Sequence, residues 1–148
     1  QEAREAFLQI RERLTNISKE GEMDGVLVQK MVTEGVEVIV GVTQDPSFGP
    51  LIMFGMGGIY TELFKDAVFR IHPLTDVDAQ EMVRSVKAYQ LLEGWRGAKP
   101  SDIKALEELL LRVSAMVEDF PQIMEMDLNP LQALERGDAV VDARIRLS

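Results

Sequence analysis

Apolar residues recur along this chain with two different periods, and each period predicts a different element. Ala3, Ala6, Phe7, Ile10, Leu14 and Ile17 return at helical spacing among Arg and Glu residues, which predicts an amphipathic helix over residues 2–18. The Lys19–Asp24 stretch, with Gly21, ends it. Two β-branched runs follow, Val26–Val32 and Val36–Val42, separated by Thr33-Glu34-Gly35; they read as a hairpin or tightly connected strand pair. In the second run Val36, Val38, Val40 and Val42 share one face and leave Glu37 on the other. Asp45-Pro46-Ser47 is a turn, Leu51–Phe54 a third strand running into Gly55-Met56-Gly57-Gly58, and Val68–Ile71 a fourth.

Thr75, with Asp78 three residues later, caps a helix predicted to end near Tyr89. Leu92–Pro100 is looser, with Gly94, Trp95 and Gly97. Ser101 is the expected cap of a second strong helix, whose stripe Ile103, Leu106, Leu109, Leu110, Val113, Met116 and Val117 stops near Phe120-Pro121. Ile123–Leu134 and Ala139–Leu147 close the chain as two strands around Glu135-Arg136-Gly137-Asp138. Strands and helices mix without regular alternation, which favours an α+β fold with largely antiparallel strands.

The 148 residues amount to a single domain, 1–148. Sixteen Lys and Arg against 25 Asp and Glu leave a net charge of −9, the wrong sign for a nucleic-acid groove. An acidic chain can still hold a nucleotide when a divalent cation bridges carboxylate to phosphate. The absence of cysteine removes disulfides, thiolate catalysis and Cys-based metal sites, and fits a cytoplasmic setting. No apolar stretch approaches the ~18 residues of a membrane span, and the N-terminal segment has no signal-peptide h-region, so no membrane association is expected. A chain that opens on Gln1 reads as a processed product or a piece of a longer protein.

Candidate chemistry concentrates in the last two strands. If their turn holds two residues, Asp127, Asn129 and Asp142 point to one face, while Val141, Ala143 and Ile145 take the other. A three-residue turn would send Asp142 to the opposite side. Two carboxylates and an amide oxygen are hard ligands of the kind Mg²⁺ accepts beside substrate phosphates. The same alternation would equally mark a solvated sheet face.

Met126-Asp127-Leu128-Asn129-Pro130-Leu131, followed by Val140-Val141-Asp142-Ala143-Arg144, resembles the metal-binding end of ATP-grasp enzymes, in particular the succinyl-CoA synthetase and ADP-forming acetyl-CoA synthetase families. Carried over, the resemblance implies that Asn129 and Asp142 hold Mg²⁺ against ATP or ADP and that Asp127 is a direct or water-mediated ligand. Leu27 to Val32, then Gly35-Val36-Glu37-Val38, resembles the strand joining the two ATP-grasp lobes. That implies adenine contacts from the backbone of Lys30, Met31 and Val32 and a ribose contact from Glu37.

Phe48-Gly49-Pro50 through Ile59, Glu62, Phe69-Arg70-Ile71-His72-Pro73-Leu74 and Leu91 to Gly97 resemble the acyl-CoA synthetase branch more than ATP-grasp proteins at large. Gly55 to Gly58 lacks the P-loop Lys and the Rossmann spacing. Its glycines allow tight backbone packing, or make room for a mobile phosphohistidine segment. Glu62 and Arg70 could line that segment's route or form surface salt bridges. His72 is read as structural, because the family's phosphorylated histidines lie elsewhere.

The resemblance implies the C-terminal lobe of an ATP-grasp module, with the first lobe largely absent. Its missing partners would be that lobe and a CoA-binding, phosphohistidine-bearing domain, in cis or as another subunit. The 148 residues alone are then expected to bind Mg·ATP weakly and not to turn over. Two further classes stay open: the regulatory, degenerate synthetase-like region of a bacterial protein lysine acetyltransferase, and a plain interaction domain.

Overall fold

The computed structural model describes residues 1–58 and 65–148, which form two compact units, Gln1–Met31 and Val32–Ser148. The first unit carries helix α1 (Glu2–Asn16), close to its expected bounds, and a short 3₁₀ turn over Glu20–Glu22. No residue of α1 is buried. Residues 23–34 belong to no helix or strand, so the strand expected at Val26–Val32 is absent. Leu27, Val28 and Met31 are 73–81 % exposed there. The expectation fails for a topological reason. A strand exists only through its ladder, and both edges of the partner strand at Val36 onward are already taken.

The second unit is an α+β layer pair. Its strands are β1 (Val36–Asp45), β2 (Gly49–Met56), β3 (Ala67–Ile71), β4 (Ile123–Ala133), β5 (Asp138–Val140) and β6 (Ala143–Leu147). They make one sheet in the order β3-β2-β1-β4-β5, with β6 also on β4, and every pairing is antiparallel. Helices α2 (Asp76–Ser85) and α3 (Ile103–Asp119) pack on one face. Val38, Val40 and Val42 of β1, Ile52, Phe54 and Met56 of β2, and Met126 and Leu128 of β4 meet Met82, Val83, Leu106, Leu110 and Val113 in the core. Each such aliphatic side chain contributes roughly 1.5–3 kcal/mol relative to its exposed state. The period of two along each strand leaves the alternate residues on a second face, which neither α2 nor α3 covers, called here the open face.

Thr75 caps α2 as expected: its hydroxyl accepts from the Asp78 N–H, and Asp78 Oδ2 accepts from the Thr75 N–H at 2.8 Å. The helix ends at Ser85, short of Tyr89, because a buried carboxylate intervenes. Asp66, 3 % exposed, accepts from the N–H groups of Lys87 (2.6 Å) and Ala88 (2.9 Å), which a continued helix would give to Val83 and Arg84. The cap of α3 is Asp102 rather than Ser101. Asp102 Oδ1 accepts from Ala105 N–H at 3.1 Å, while Ser101 Oγ donates to the Ala133 carbonyl. Among the described residues, no helix is long and apolar enough to cross a membrane.

Candidate functional site

The C-terminal strands carry Asp127, Asn129 and Asp142, and a bulge shapes their placement. Val38 faces Leu131 and Val40 faces Leu128, so Asn129 and Pro130 together stand opposite the single residue Ile39. Two residues against one is a β-bulge, a place where strands re-aim side chains. Proline suits it, since Pro130 has no N–H to give a ladder. The consequence is a change of phase. Before the bulge the even residues Met126 and Leu128 are buried, whereas after it the odd residues Leu131 and Ala133 are. Glu125, Asp127 and Asn129 therefore fall on the open face, and all three are exposed.

The returning strand keeps an odd pairing sum from Ala133 opposite Asp138 down to Glu125 opposite Arg146, and the register shifts only beyond that, before Ile123. Leu131 faces Val140, Leu128 faces Ala143 and Asp127 faces Arg144. The intervening loop has four residues, 134–137, instead of the two assumed from sequence; an even count preserves the parity on which the facing argument depends. Asn129 N–H donates to the Asp142 carbonyl at 3.1 Å and Val141 N–H to that of Pro130 at 2.9 Å, so the ladder runs through the kink between β5 and β6. The register puts Asn129 directly opposite Asp142, with Asp127 two residues further along on the same face.

The apolar face expected for Val141, Ala143 and Ile145 is not covered. Every residue of β6 is exposed, because this strand lies at the sheet's rim and contributes nothing to the core.

Asp142 Oδ2 lies 3.5 Å from Arg144 Nε. Glu125 is held by Arg146 through two contacts, 2.6 and 3.1 Å, and that hydrogen bonding, with the guanidinium charge, keeps its carboxyl below the ordinary range. A cavity of about 470 Å³ opens on this face between Gly41, Met53, Phe69, Asp127 and Arg144. Gly41 keeps its floor low. A Cβ there would lie 3.2 Å from Met53 Cε, tighter than ordinary contact.

Glu37 lies on the same face, four residues along β1 from Gly41 and paired with Gln132. At ~3.3 Å per residue it stands about 7 Å along the strand from the level of Asn129. Its Oε1 accepts from Gly58 N–H at 3.0 Å, and its carbonyl from Gly57 N–H at 2.8 Å. Gly57 has no room for a side chain, since a Cβ would come within 2.5 Å of Glu37 Cγ. The close-packing account of Gly55 to Gly58 thus has a definite partner. Lys30 and Met31 belong to the first unit and Val32 opens the second; none lies in a helix or strand.

Three other residues singled out by the sequence are Arg70, Glu62 and His72. Arg70 faces Ile52 on the helix side of the sheet and pairs with Glu81 of α2 at 3.4 Å, away from the open face. Glu62 lies outside the described residues. His72 is tied to α3, its Nδ1 lying 3.1 Å from Ser114 Oγ, which also accepts from Leu74 N–H. Sequence reasoning passed over Arg144, although its position two residues after Asp142 put it on the same face.

Two carboxylates and an amide oxygen suit a hard divalent cation. Among the described residues no three His, Cys, Asp or Glu side chains converge.

Comparison with known proteins follows the same lines. The sequence profile of the ATP-grasp domain family matches residues 1–147. An acetate–CoA ligase (ADP-forming) I of Archaeoglobus fulgidus is 54 % identical over 96 % of this chain, which spans 21 % of that protein. The beta subunit of the corresponding Pyrococcus furiosus enzyme is 45 % identical over 99 % of the chain, which spans 63 % of it. A dinucleotide-forming acetyl-coenzyme A synthetase 1 from Ca. Korarchaeum cryptofilum superposes with a TM-score of 0.79 at 45 % identity, covering 90 % of this chain and 64 % of that one. That structure holds coenzyme A and Mg-AMPPCP, with its phosphohistidine segment pointing towards the nucleotide-binding site.

Proposed function

The chain belongs to the ATP-grasp domain family, and from that premise we propose that it is the nucleotide- and cation-binding portion of an ADP-forming acyl-CoA synthetase. In this reading Asn129 and Asp142 ligate Mg²⁺, Asp127 ligates it directly or through water, and the cation bridges to the phosphates of ATP or ADP. Glu37 takes the ribose; one carboxylate oxygen is engaged by Gly58, and the other can accept from a hydroxyl. The backbone of Lys30, Met31 and Val32 reads the adenine edge. The intact protein would interconvert acyl-CoA, ADP and phosphate with the free acid, CoA and ATP through acyl-phosphate and phosphohistidine intermediates. A first lobe and a CoA-binding domain, in cis or as another subunit, would complete it in the cytoplasm. Arg70 lies on the other side of the sheet, where it pairs with Glu81.

The observation that carries this reading is the ladder itself. Asn129 opposite Asp142, with Asp127 two residues on, sets three oxygen donors on one exposed face, beginning about 7 Å along the strand from Glu37. Such a face is what a bound Mg·nucleotide needs: fixed hard ligands and room for phosphate. Isothermal titration of Mg·ADP into the intact protein tests it. Asn129→Ala and Asp142→Asn should each weaken binding at least tenfold; unchanged affinity in both would remove the assignment.

A further inference from the structure

The two arginines of β6 are held unequally. Arg146 is clamped on Glu125 by two hydrogen bonds of 2.6 and 3.1 Å, a two-pronged geometry that fixes both side chains. Arg144 sits opposite Asp127 in the register, yet its Nε rests 3.5 Å from Asp142 Oδ2, and its side chain is 82 % exposed. At that length the contact is Coulombic more than hydrogen-bonded, and for an exposed pair it is weak.

The order of groups along the open face is informative. Glu37 stands level with Gln132; then come Asn129 with Asp142, then Asp127 with Arg144, and last Glu125 with Arg146. Arg144 is thus about 7 Å beyond the Asn129–Asp142 pair, on the side away from Glu37. A nucleotide whose ribose lies at Glu37 and whose phosphates reach a cation at Asn129 and Asp142 has its outermost phosphate directed at Arg144. A guanidinium is permanently charged and presents a planar fork of donors that matches phosphate oxygens.

We infer that Arg144 is a phosphate-binding residue: it neutralises Asp142 while no cation is bound and turns to the outermost phosphate when a divalent cation takes that carboxylate. The inference rests on the cation-site reading above. The charges are consistent with the exchange. Asp127 and Asp142 without a cation would repel a phosphate, whereas with a divalent ion and Arg144 they leave one net positive charge to attract it. One guanidinium therefore serves two states of the site.

The test compares Arg144→Gln, Arg144→Lys and Asp142→Asn in the intact protein. Calorimetry would measure Mg·ADP and AMP, and electron paramagnetic resonance Mn²⁺ alone. Removing a charge-assisted contact should weaken Mg·ADP binding roughly tenfold or more in Arg144→Gln, with partial retention in Arg144→Lys. AMP, which lacks the outer phosphate, should bind as before. Mn²⁺ alone should bind more tightly to Arg144→Gln, because a competing cation has gone. Equal weakening of ADP and AMP, or weaker Mn²⁺ binding, would overturn the inference. So would unchanged Mg·ADP affinity in Arg144→Gln; if Asp142→Asn still abolishes binding, the cation-site reading survives that loss. If Asp142→Asn is also silent, both fall.

Discussion

The two faces of the sheet are built from alternate residues of the same strands and do different work. On the helix face, Val38, Val40, Val42, Ile52 and Phe54 are at most 4 % exposed and lock onto α2 and α3. On the open face, their neighbours Glu37, Gly41, Met53, Asp127 and Asn129 are small, polar or partly exposed, and neither α2 nor α3 covers them; Ile39, on the same face, is 5 % exposed. One side is packed for stability, where a missing methylene is felt. The other is left able to meet a ligand. Adjacent positions in one strand can thus differ entirely in what a substitution would disturb.

That division can be broken by experiment. The largest effect belongs to the helix face. Leu110→Ala removes a fully buried side chain, 0 % exposed, and should lower unfolding free energy by about 2–5 kcal/mol in chemical denaturation. The nucleotide affinity of the folded fraction should stay unchanged, and a matching loss of affinity would blur the two faces. Next is Asp142→Asn on the open face. Its tenfold or greater loss of Mg·ADP affinity, about 1.4 kcal/mol or more, should come with a shift in stability of no more than about 0.5 kcal/mol. A large drop in melting temperature would show the carboxylate to be structural.

A smaller effect is expected at the helix cap. Thr75→Ala should cost about 1 kcal/mol, and this contribution should depend on pH. Hydrogen bonds from the Thr75 side chain and backbone hold the Asp78 carboxyl below its ordinary value of 3.8. A depressed carboxylate stabilises the fold above its ordinary value and loses that contribution as pH falls through the lower, folded value. The difference between wild type and Thr75→Ala should therefore shrink in acid; a gap constant from pH 7 to pH 2 would contradict the capping account.

Smallest of all is Asp138→Asn. Burial pushes this carboxyl above 3.8, with like charge from Asp102 and Glu108 adding to the rise and Arg112 opposing it. A raised carboxyl opposes folding when ionised, so the substitution should stabilise by up to about 0.5 kcal/mol at pH 7 and have no effect near pH 3. Destabilisation at pH 7 would refute it.

Local pattern sufficed for much of this molecule. The stripe of Ile103 to Val117, the Thr75–Asp78 cap and the alternation around Asp127 follow from helix and strand periods that the chain carries in itself. The facing of Asn129 and Asp142 was legible for the same reason, since parity survives any even loop. Other features were settled by residues distant in sequence. Asp66 ended α2, Ala133 drew Ser101 away from capping, and β2 and β4 occupied both edges of β1, so that Val26–Val32 had no ladder to join. Hydrogen-bond partners and free sheet edges are properties of the packed chain, and a period along one segment cannot contain them.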